Sequence, residues 1–390
     1  MKKDKTNVIT GIPRGSDLIT NSTDMEHLCT FSNFPVFMGC DNTSPEDDLV
    51  SSMSWWISRK SGMIQLDPVL PLEIVYKKGH GSGTVGELWR RHHEAFSRFI
   101  LRQPDKTNSI LEIGGLHGYL GRLILNNRPE LKWTIVEPNP SENIKEPLHL
   151  IKGWFNENFK ATERYDTIVH SHVFEHVYSP HRFMRDKATF MKIGDLSFFS
   201  IPNMRAMLEK NYSNCLNFEH TYFLDEVYVD YFIETYGFEV VEKEYFRDDH
   251  SIFYGIKKTS NSRRPSELPP KLYENHKELW MKYIKADAQL SQELNILVKE
   301  ATAPIYLFGG HVFSQWLIAH GLQTDKIVSI LDNDVKKHGK RLYGTHLQVA
   351  SPAALSNEDS AIVILRAGVY NEEIKHDILT NINPKIKFVP

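Results

Sequence analysis

Two glutamate–histidine pairs stand out along the chain, Glu175-His176 and Glu219-His220. A neutral histidine is well suited to accept a proton near pH 7, so either pair can supply a general base. A second set of residues is Glu112, Gly114, Gly115 and Gly118, followed at a distance by Glu137. Glycines there let the backbone pass close under a ligand, where a Cβ would collide with it. A carboxylate at the end of a strand accepts both hydroxyls of a ribose. Proton abstraction beside a bound nucleoside is the chemistry these residue types suggest.

The elements that must carry them are legible around Ile110. An apolar run (Ile110, Leu111, Ile113) stops in glycines, a helical pattern follows (Leu120, Leu123, Ile124), and a second apolar run (Trp133, Ile135, Val136) ends in Glu137. Strand, glycine turn, helix, strand and acid make the opening unit of a nucleotide-binding α/β fold. A dinucleotide site wants Gly-x-Gly-x-x-Gly. That spacing fails, because Leu116 lies two positions after Gly114 and His117 two after Gly115. A strand-turn-helix without a ligand is the plainer alternative.

Further along, 149–155 reads as a short strand, 165–177 as a strand running into a loop and helix, 195–203 as another strand, and 237–245 with 251–258 as a closing pair. Alternation of this kind predicts a doubly wound sheet. Before it, a helix is expected over 87–102, with Leu88, His92, Phe96 and Ile100 on one stripe. Residues 1–30 lack periodic signal and predict a loose start; short strands follow at 34–38, 53–57 and 63–66. Residues 76–86 predict a polar loop. The polar, proline-rich stretch 258–270 marks a boundary, and beyond it come a long helix over 271–300 and a second, smaller α/β unit.

The 390 residues exceed one ordinary core and predict two or three domains. Hydrophobic content of 41% and charged content of 24% suit a globular protein. A formal net charge of -3 argues against a nucleic-acid partner, and no apolar stretch predicts a membrane span. The basic start has no apolar segment behind it and does not read as a secretory signal. The three cysteines, Cys29, Cys40 and Cys215, are unpatterned and fit a reducing cytoplasm. Histidines and carboxylates abound without ligand spacing, so no metal ligands are assigned and the sequence leaves open whether a divalent ion assists.

The pattern Glu112-x-Gly114-x-x-x-Gly118-x-Leu120 resembles motif I of the class I S-adenosylmethionine-dependent methyltransferases, with Leu116 where that family often has a third glycine. Val173-Phe-Glu-His-Val177 before Pro180, the strand ending Ile201-Pro202-Asn203, and Gly237-Phe238 are similar to later parts of the same family. Leu331-Asp-Asn-Asp-Val-Lys-Lys-His-Gly-Lys-Arg-Leu-Tyr-Gly-Thr, followed by Ser351-Pro352, resembles the C-terminal domain of the three-domain sugar C-methyltransferases. Gly62-Met-Ile-Gln-Leu-Asp-Pro echoes their N-terminal domain. The resemblance implies a Rossmann-like methyltransferase core (87–258), a small N-terminal domain (1–86) and a second Rossmann-like domain (271–390) that helps hold a nucleotide-sugar. It also brings a departure: Ser58-Arg-Lys-Ser61 stands where a zinc-binding Cys-x-x-Cys is usual, so that zinc is not expected.

On this footing the cofactor is S-adenosylmethionine, with Glu112, Gly114, Gly115, Gly118, Glu137, Trp154, Phe155, Ser171 and His172 as candidate contacts. The resemblance points to Glu219 and His220, within Asn217-Phe-Glu-His-Thr-Tyr-Phe, as the base pair, with His176 as the rival. Tyr76, His80, Asn217 and Tyr222 are candidate substrate contacts. A tyrosine commonly occupies the position of Asn217 in that family; its replacement tilts the expectation from carbon toward a hydroxyl acceptor. The implied substrate is a nucleotide-activated sugar or sugar-derived acid in surface glycan (polysaccharide) assembly. C-methylation of a keto-deoxysugar is the alternative, and a cofactor-binding scaffold without catalysis is the reading from another class.

Overall fold

The computed structural model describes residues 7–77, 86–102, 107–142, 144–161, 163–261 and 267–390. The chain starts with β1 (Met25–Pro35), the short β2 (Cys40–Asp41), β3 (Val50–Ser58) and β4 (Ile64–Leu66), of which β1, β3 and β4 make an antiparallel sheet. Ser51, Met53, Trp55 and Ile57 of β3 alternate inward and are buried, the period of two that a half-buried strand imposes. The expected loose start ends earlier than residue 31, because Met25–Thr30 already pairs with β3. Its residues are mostly half-exposed, so no apolar alternation marks it. The short α1 (Leu72–Val75) follows.

The helix predicted over 87–102 is α2 (Glu87–Ile100), and the stripe Leu88, His92, Phe96 and Ile100 is its buried face. Next come β5 (Ser109–Ile113), α3 (Tyr119–Asn127), β6 (Lys132–Glu137), β7 (Leu148–Lys152), β8 (Thr167–Ser171), α4 (Pro180–Phe190), β9 (Leu196–Pro202), α5 (Met204–Glu209), α6 (Glu226–Thr235) and the hairpin β10 (Phe238–Phe246) and β11 (Ser251–Lys258). The sheet order is β10-β11-β9-β8-β5-β6-β7, parallel except that β11 runs antiparallel to β9 and to β10. The chain moves outward from β5 to β7, then returns to place β8 on the other side of β5. This reversal opens a crevice at the carboxyl ends of β5 and β8, where open α/β sheets bind ligands. The fold is a Rossmann-like α/β arrangement, with additional sheets on either side in sequence.

A single helix, α7 (Leu272–Glu300), leads to a five-stranded parallel sheet built from β12 (Ile305–Phe308), β13 (Ile327–Leu331), β15 (Val349–Ala350), β16 (Ile362–Leu365) and β17 (Lys387–Val389) in the order β15-β13-β12-β16-β17. It carries α8 (Val312–Ala319) and α9 (Asn371–Asp377), and its short β14 (Arg341–Leu342) pairs with β2 near the other end of the chain. The N-terminal sheet, the middle sheet and α7 share one apolar core that runs from Trp55 through Phe199 to Trp280.

Candidate active site

The glycine turn is shaped from within. Gly114 (φ +81°) donates to the carbonyl of Val136, and Gly118 (φ +61°) donates to that of Gly115, closing a tight loop before α3. A Cβ on Gly114 would stand 2.7 Å from Val173 Cγ2, and one on Gly118 would stand 2.6 Å from Leu148 Cδ1. These glycines are therefore required by φ and by neighbouring side chains, which adds to the reason expected from the sequence. Glu112 is buried, and its carboxylate accepts from Trp133 Nε1 at 2.7 Å. Burial pushes its pKa up to about 7, while the indole bond pulls the other way. Glu112 supports the floor of the turn, since a Cβ on Gly115 would meet its carboxyl carbon at 2.6 Å.

Glu137 ends β6 and is 8% exposed; Oε1 accepts the Asn139 N–H at 2.9 Å. A side-chain-poor turn, the start of α3 and a carboxylate at the next strand's end match what a nucleoside with a charged tail needs. Ser171, at the end of β8, shares a hydrogen bond with Ser200 Oγ at 2.8 Å. Phe155 packs with Phe159 and Phe190, ring centroids 5.5 and 5.6 Å away, whereas Trp154 is 56% exposed. Of the two candidate cofactor contacts, the Phe155 ring is engaged by its aromatic neighbours and the Trp154 ring is the exposed one. His172 likewise has both ring nitrogens engaged, Nε2 with Ser251 Oγ (2.8 Å) and Nδ1 with Glu175 Oε1 (3.1 Å).

The second part of the site lies past β8. The turn after Ser171 presents Glu175 and His176, and the segment 221–223 runs alongside β4, with Thr221 accepting from the Leu66 N–H and Phe223 donating to the Ile64 carbonyl. That pairing brings His220 up to His176, ring centroids 4.6 Å apart. The Tyr76 hydroxyl completes the group at 3.2 Å from His176 Nδ1. His220 donates Nδ1–H to the Cys215 carbonyl at 2.9 Å, which puts the lone pair of the neutral ring on Nε2. Burial pushes the Tyr76 hydroxyl above its ordinary range, with the Glu219, Tyr178 and Glu175 charges adding to the effect. Tyr76, His176, Glu219 and His220, drawn from three distant segments, thus meet in one place.

Two of the expected substrate contacts do other work. Asn217 is 4% exposed, and its Oδ1 accepts the backbone N–H of Glu219 (2.8 Å) and of His220 (3.0 Å). It sets the turn that aims the pair. Tyr222 is fully buried and donates to the Phe174 carbonyl at 2.5 Å, bracing the loop that carries Glu175. His80 lies outside the described residues. Two neighbours were not singled out from the sequence. Arg14 donates to the carbonyls of Leu66 (3.0 Å) and Tyr178 (2.7 Å) and to Thr221 Oγ1 (2.7 Å), and Tyr178 sits under its guanidinium. Burial lowers the Arg14 pKa to about 10. No local pattern marks an arginine that acts as a clasp across more than two hundred residues.

Residues 88–243 match the family described as a methyltransferase domain. They are an S-adenosylmethionine-dependent methyltransferase domain. The match spans α2 to β10 and so takes in the glycine turn, Glu137, both glutamate–histidine pairs and the crevice. No curated protein matches the chain. Solved structures similar to part of it include Burkholderia thailandensis 1,6-didemethyltoxoflavin-N1-methyltransferase with bound 1,6-didemethyltoxoflavin and S-adenosylhomocysteine, at 10% identity, over 43% of this chain and 78% of that one, TM-score 0.35. A putative S-adenosylmethionine-dependent methyltransferase from Listeria monocytogenes is similar at 13% identity, over 43% of this chain and all of that one, TM-score 0.34.

Within the methyltransferase domain, bound S-adenosylmethionine supplies a methyl group activated on a sulfonium. Displacement at that methyl requires an acceptor held in line and relieved of a proton. The residues expected from the sequence to hold the donor, Glu137 and the turn from Gly114 to Gly118, lie at the ends of β6 and β5. Among the described residues, no helix is long and apolar enough to cross a membrane.

Proposed function

We propose that this methyltransferase domain methylates a hydroxyl of a nucleotide-activated sugar or sugar-derived acid, in surface glycan assembly. The observation that carries the reading is His220, whose Nδ1–H is committed to the Cys215 carbonyl while its ring packs against His176. That tautomer leaves Nε2 as the proton acceptor, with His176 and Tyr76 beside it to position the acceptor hydroxyl. In this reading Glu219 steadies the imidazolium, and Arg14 keeps the 221–223 segment against the N-terminal sheet.

The sugar class rests on the resemblance of residues 331–345, 62–68 and 217–223 to the three-domain sugar C-methyltransferases. The C-terminal parallel sheet, with the glycine turn Gly309-Gly310 ahead of α8, is the part assigned to the nucleotide. The divisions 1–86, 87–258 and 271–390, and a cytoplasmic location, belong to the same proposal. A second reading is transfer to carbon. It is favoured by Tyr76, whose phenol beside His176 offers an aromatic hydroxyl even though position 217 is asparagine.

The test is incubation of the full chain with methyl-labelled S-adenosylmethionine and a panel of nucleotide sugars, read by mass spectrometry. Label on a nucleotide sugar supports the reading, and label on none of them sinks it. Solvent deuterium entering the acceptor carbon separates carbon from oxygen transfer.

A further inference from the structure

A second histidine group lies outside this chemistry. His92 of α2, His172 after β8 and His250 before β11 come from segments far apart in sequence, and one nitrogen from each lies within 4.8 Å of the others. Their ring centroids are 5.3 Å (His92–His172), 5.4 Å (His92–His250) and 6.1 Å (His172–His250) apart. Phe96, Phe246, Phe253 and Trp89 surround them.

His92 is fully buried, and neither of its ring nitrogens has a hydrogen-bond partner. A buried polar group left in that state is destabilising, so a core position filled only for packing favours a phenylalanine or leucine. Glu175 is also fully buried; among the described residues neither carboxylate oxygen has a well-aligned hydrogen bond, and its contact with His172 Nδ1 at 3.1 Å is that of an ion pair. A buried carboxylate with no lysine or arginine partner among the described residues calls for positive charge nearby.

We propose that His92, His172 and His250 bind a divalent transition-metal ion of the zinc class. Three imidazoles in a dry shell are a donor set suited to such an ion, with one position left for a further ligand. Burial first, and then mutual repulsion, lower the pKa of His92 well below its ordinary value, and burial with the His172 and Arg247 charges lowers that of His250 to about 3. Orienting partners are already in place: the Ser251 hydroxyl lies 2.6 Å from His250 Nδ1 and 2.8 Å from His172 Nε2. Since both nitrogens of His172 are engaged, binding exchanges either Ser251 or Glu175 for the ion. An ion here would pin α2, the end of β8 and the β10–β11 hairpin together. Through Glu175, the sequence neighbour of the Tyr76 partner His176, it would also stiffen the acceptor side of the crevice.

The test uses the full chain purified without a histidine tag, stripped with chelator and titrated with Co²⁺ and Zn²⁺. The expected result is one ion per chain, with visible Co²⁺ bands of a low-coordinate nitrogen site that Zn²⁺ abolishes, and a higher thermal midpoint with Zn²⁺. His92→Leu and His250→Leu should each weaken binding by about a hundredfold or more and remove the thermal shift. A stripped wild-type protein that takes up no stoichiometric ion overturns the proposal, whether or not the variants fold. So does binding that survives unchanged in both variants.

Discussion

Glu175 stands 3.1 Å from His172 Nδ1 with its carboxylate wholly buried, and it belongs to both histidine groups at once. On one side it faces His172 and, through it, Ser251 and His250. On the other, one of its oxygens falls within 4.8 Å of a nitrogen of His176 and of His220. The turn that holds it is fixed by the Tyr222 hydroxyl on the Phe174 carbonyl. A small shift of this turn would move both groups, so the tight core behind it has a direct bearing on chemistry at the crevice.

His220→Ala should lower turnover about a hundredfold or more while leaving S-adenosylmethionine affinity unchanged, because the ring acts on the acceptor and not on the donor. His176→Ala should show its larger effect on acceptor KM, since its Nδ1 is engaged by the Tyr76 hydroxyl. Steady-state kinetics on the labelled acceptor separates the two. Near-normal turnover of His220→Ala would transfer the base to His176.

Glu137→Ala should weaken S-adenosylmethionine by about 2–3 kcal/mol, the scale of hydrogen bonds to a charged group. Calorimetric titration reads this directly. Unchanged affinity would take Glu137 out of the site.

The parts of this architecture that obey a short period were legible in the chain. The strand-turn-helix from Ile110, the acid closing β6, the buried stripe of α2 and the long α7 all follow from apolar spacing within a few turns or strands. What depends on pairing between distant segments was not. Asn217 is a substrate contact by position in the motif, yet its carboxamide is spent on the N–H groups of Glu219 and His220, a turn device that only coordinates reveal. Trp154 and Phe155 are adjacent aromatics, but neighbours from α4 and the preceding loop decide which of the two is engaged. The absence of ligand spacing left no metal ligands to assign. Yet His92, His172 and His250 are gathered by a sheet whose strand order no local pattern states.

Arg341→Ala should destabilise the chain by about 3–5 kcal/mol, because it strips the partner from a buried carboxylate. Arg341 and Asp48 are 5% and 4% exposed at their side chains and meet through two 2.6 Å bonds, beside the β2–β14 pairing. Gly344 N–H donates to the same carboxylate at 2.7 Å. The pair joins the first fifty residues to the C-terminal sheet, so its loss should also separate unfolding of that sheet from the rest. Scanning calorimetry would show one transition becoming two. A single transition at the wild-type midpoint would mean that the contact is energetically idle.

Lys187→Met should stabilise the chain at neutral pH, with the gain fading as the solution is made alkaline. Lys187 is fully buried, its Nζ lies 3.3 Å from His170 Nε2 and 4.6 Å from the Phe199 ring centroid, and burial lowers its pKa to about 7. The unfolded chain keeps an ordinary lysine near 10.5. Between those values the unfolded state holds a proton that the folded state has given up. Stability therefore rises with pH across that window and carries the full penalty at and below pH 7. The penalty is on the order of 5 kcal/mol as an upper bound. Methionine keeps the length and the contact with Phe199 without any charge to desolvate. Urea unfolding at pH 7 and pH 10 gives the comparison: wild type should gain stability relative to Lys187→Met on going to pH 10. A constant difference between the two proteins at both pH values would show that the ammonium stays protonated in the core.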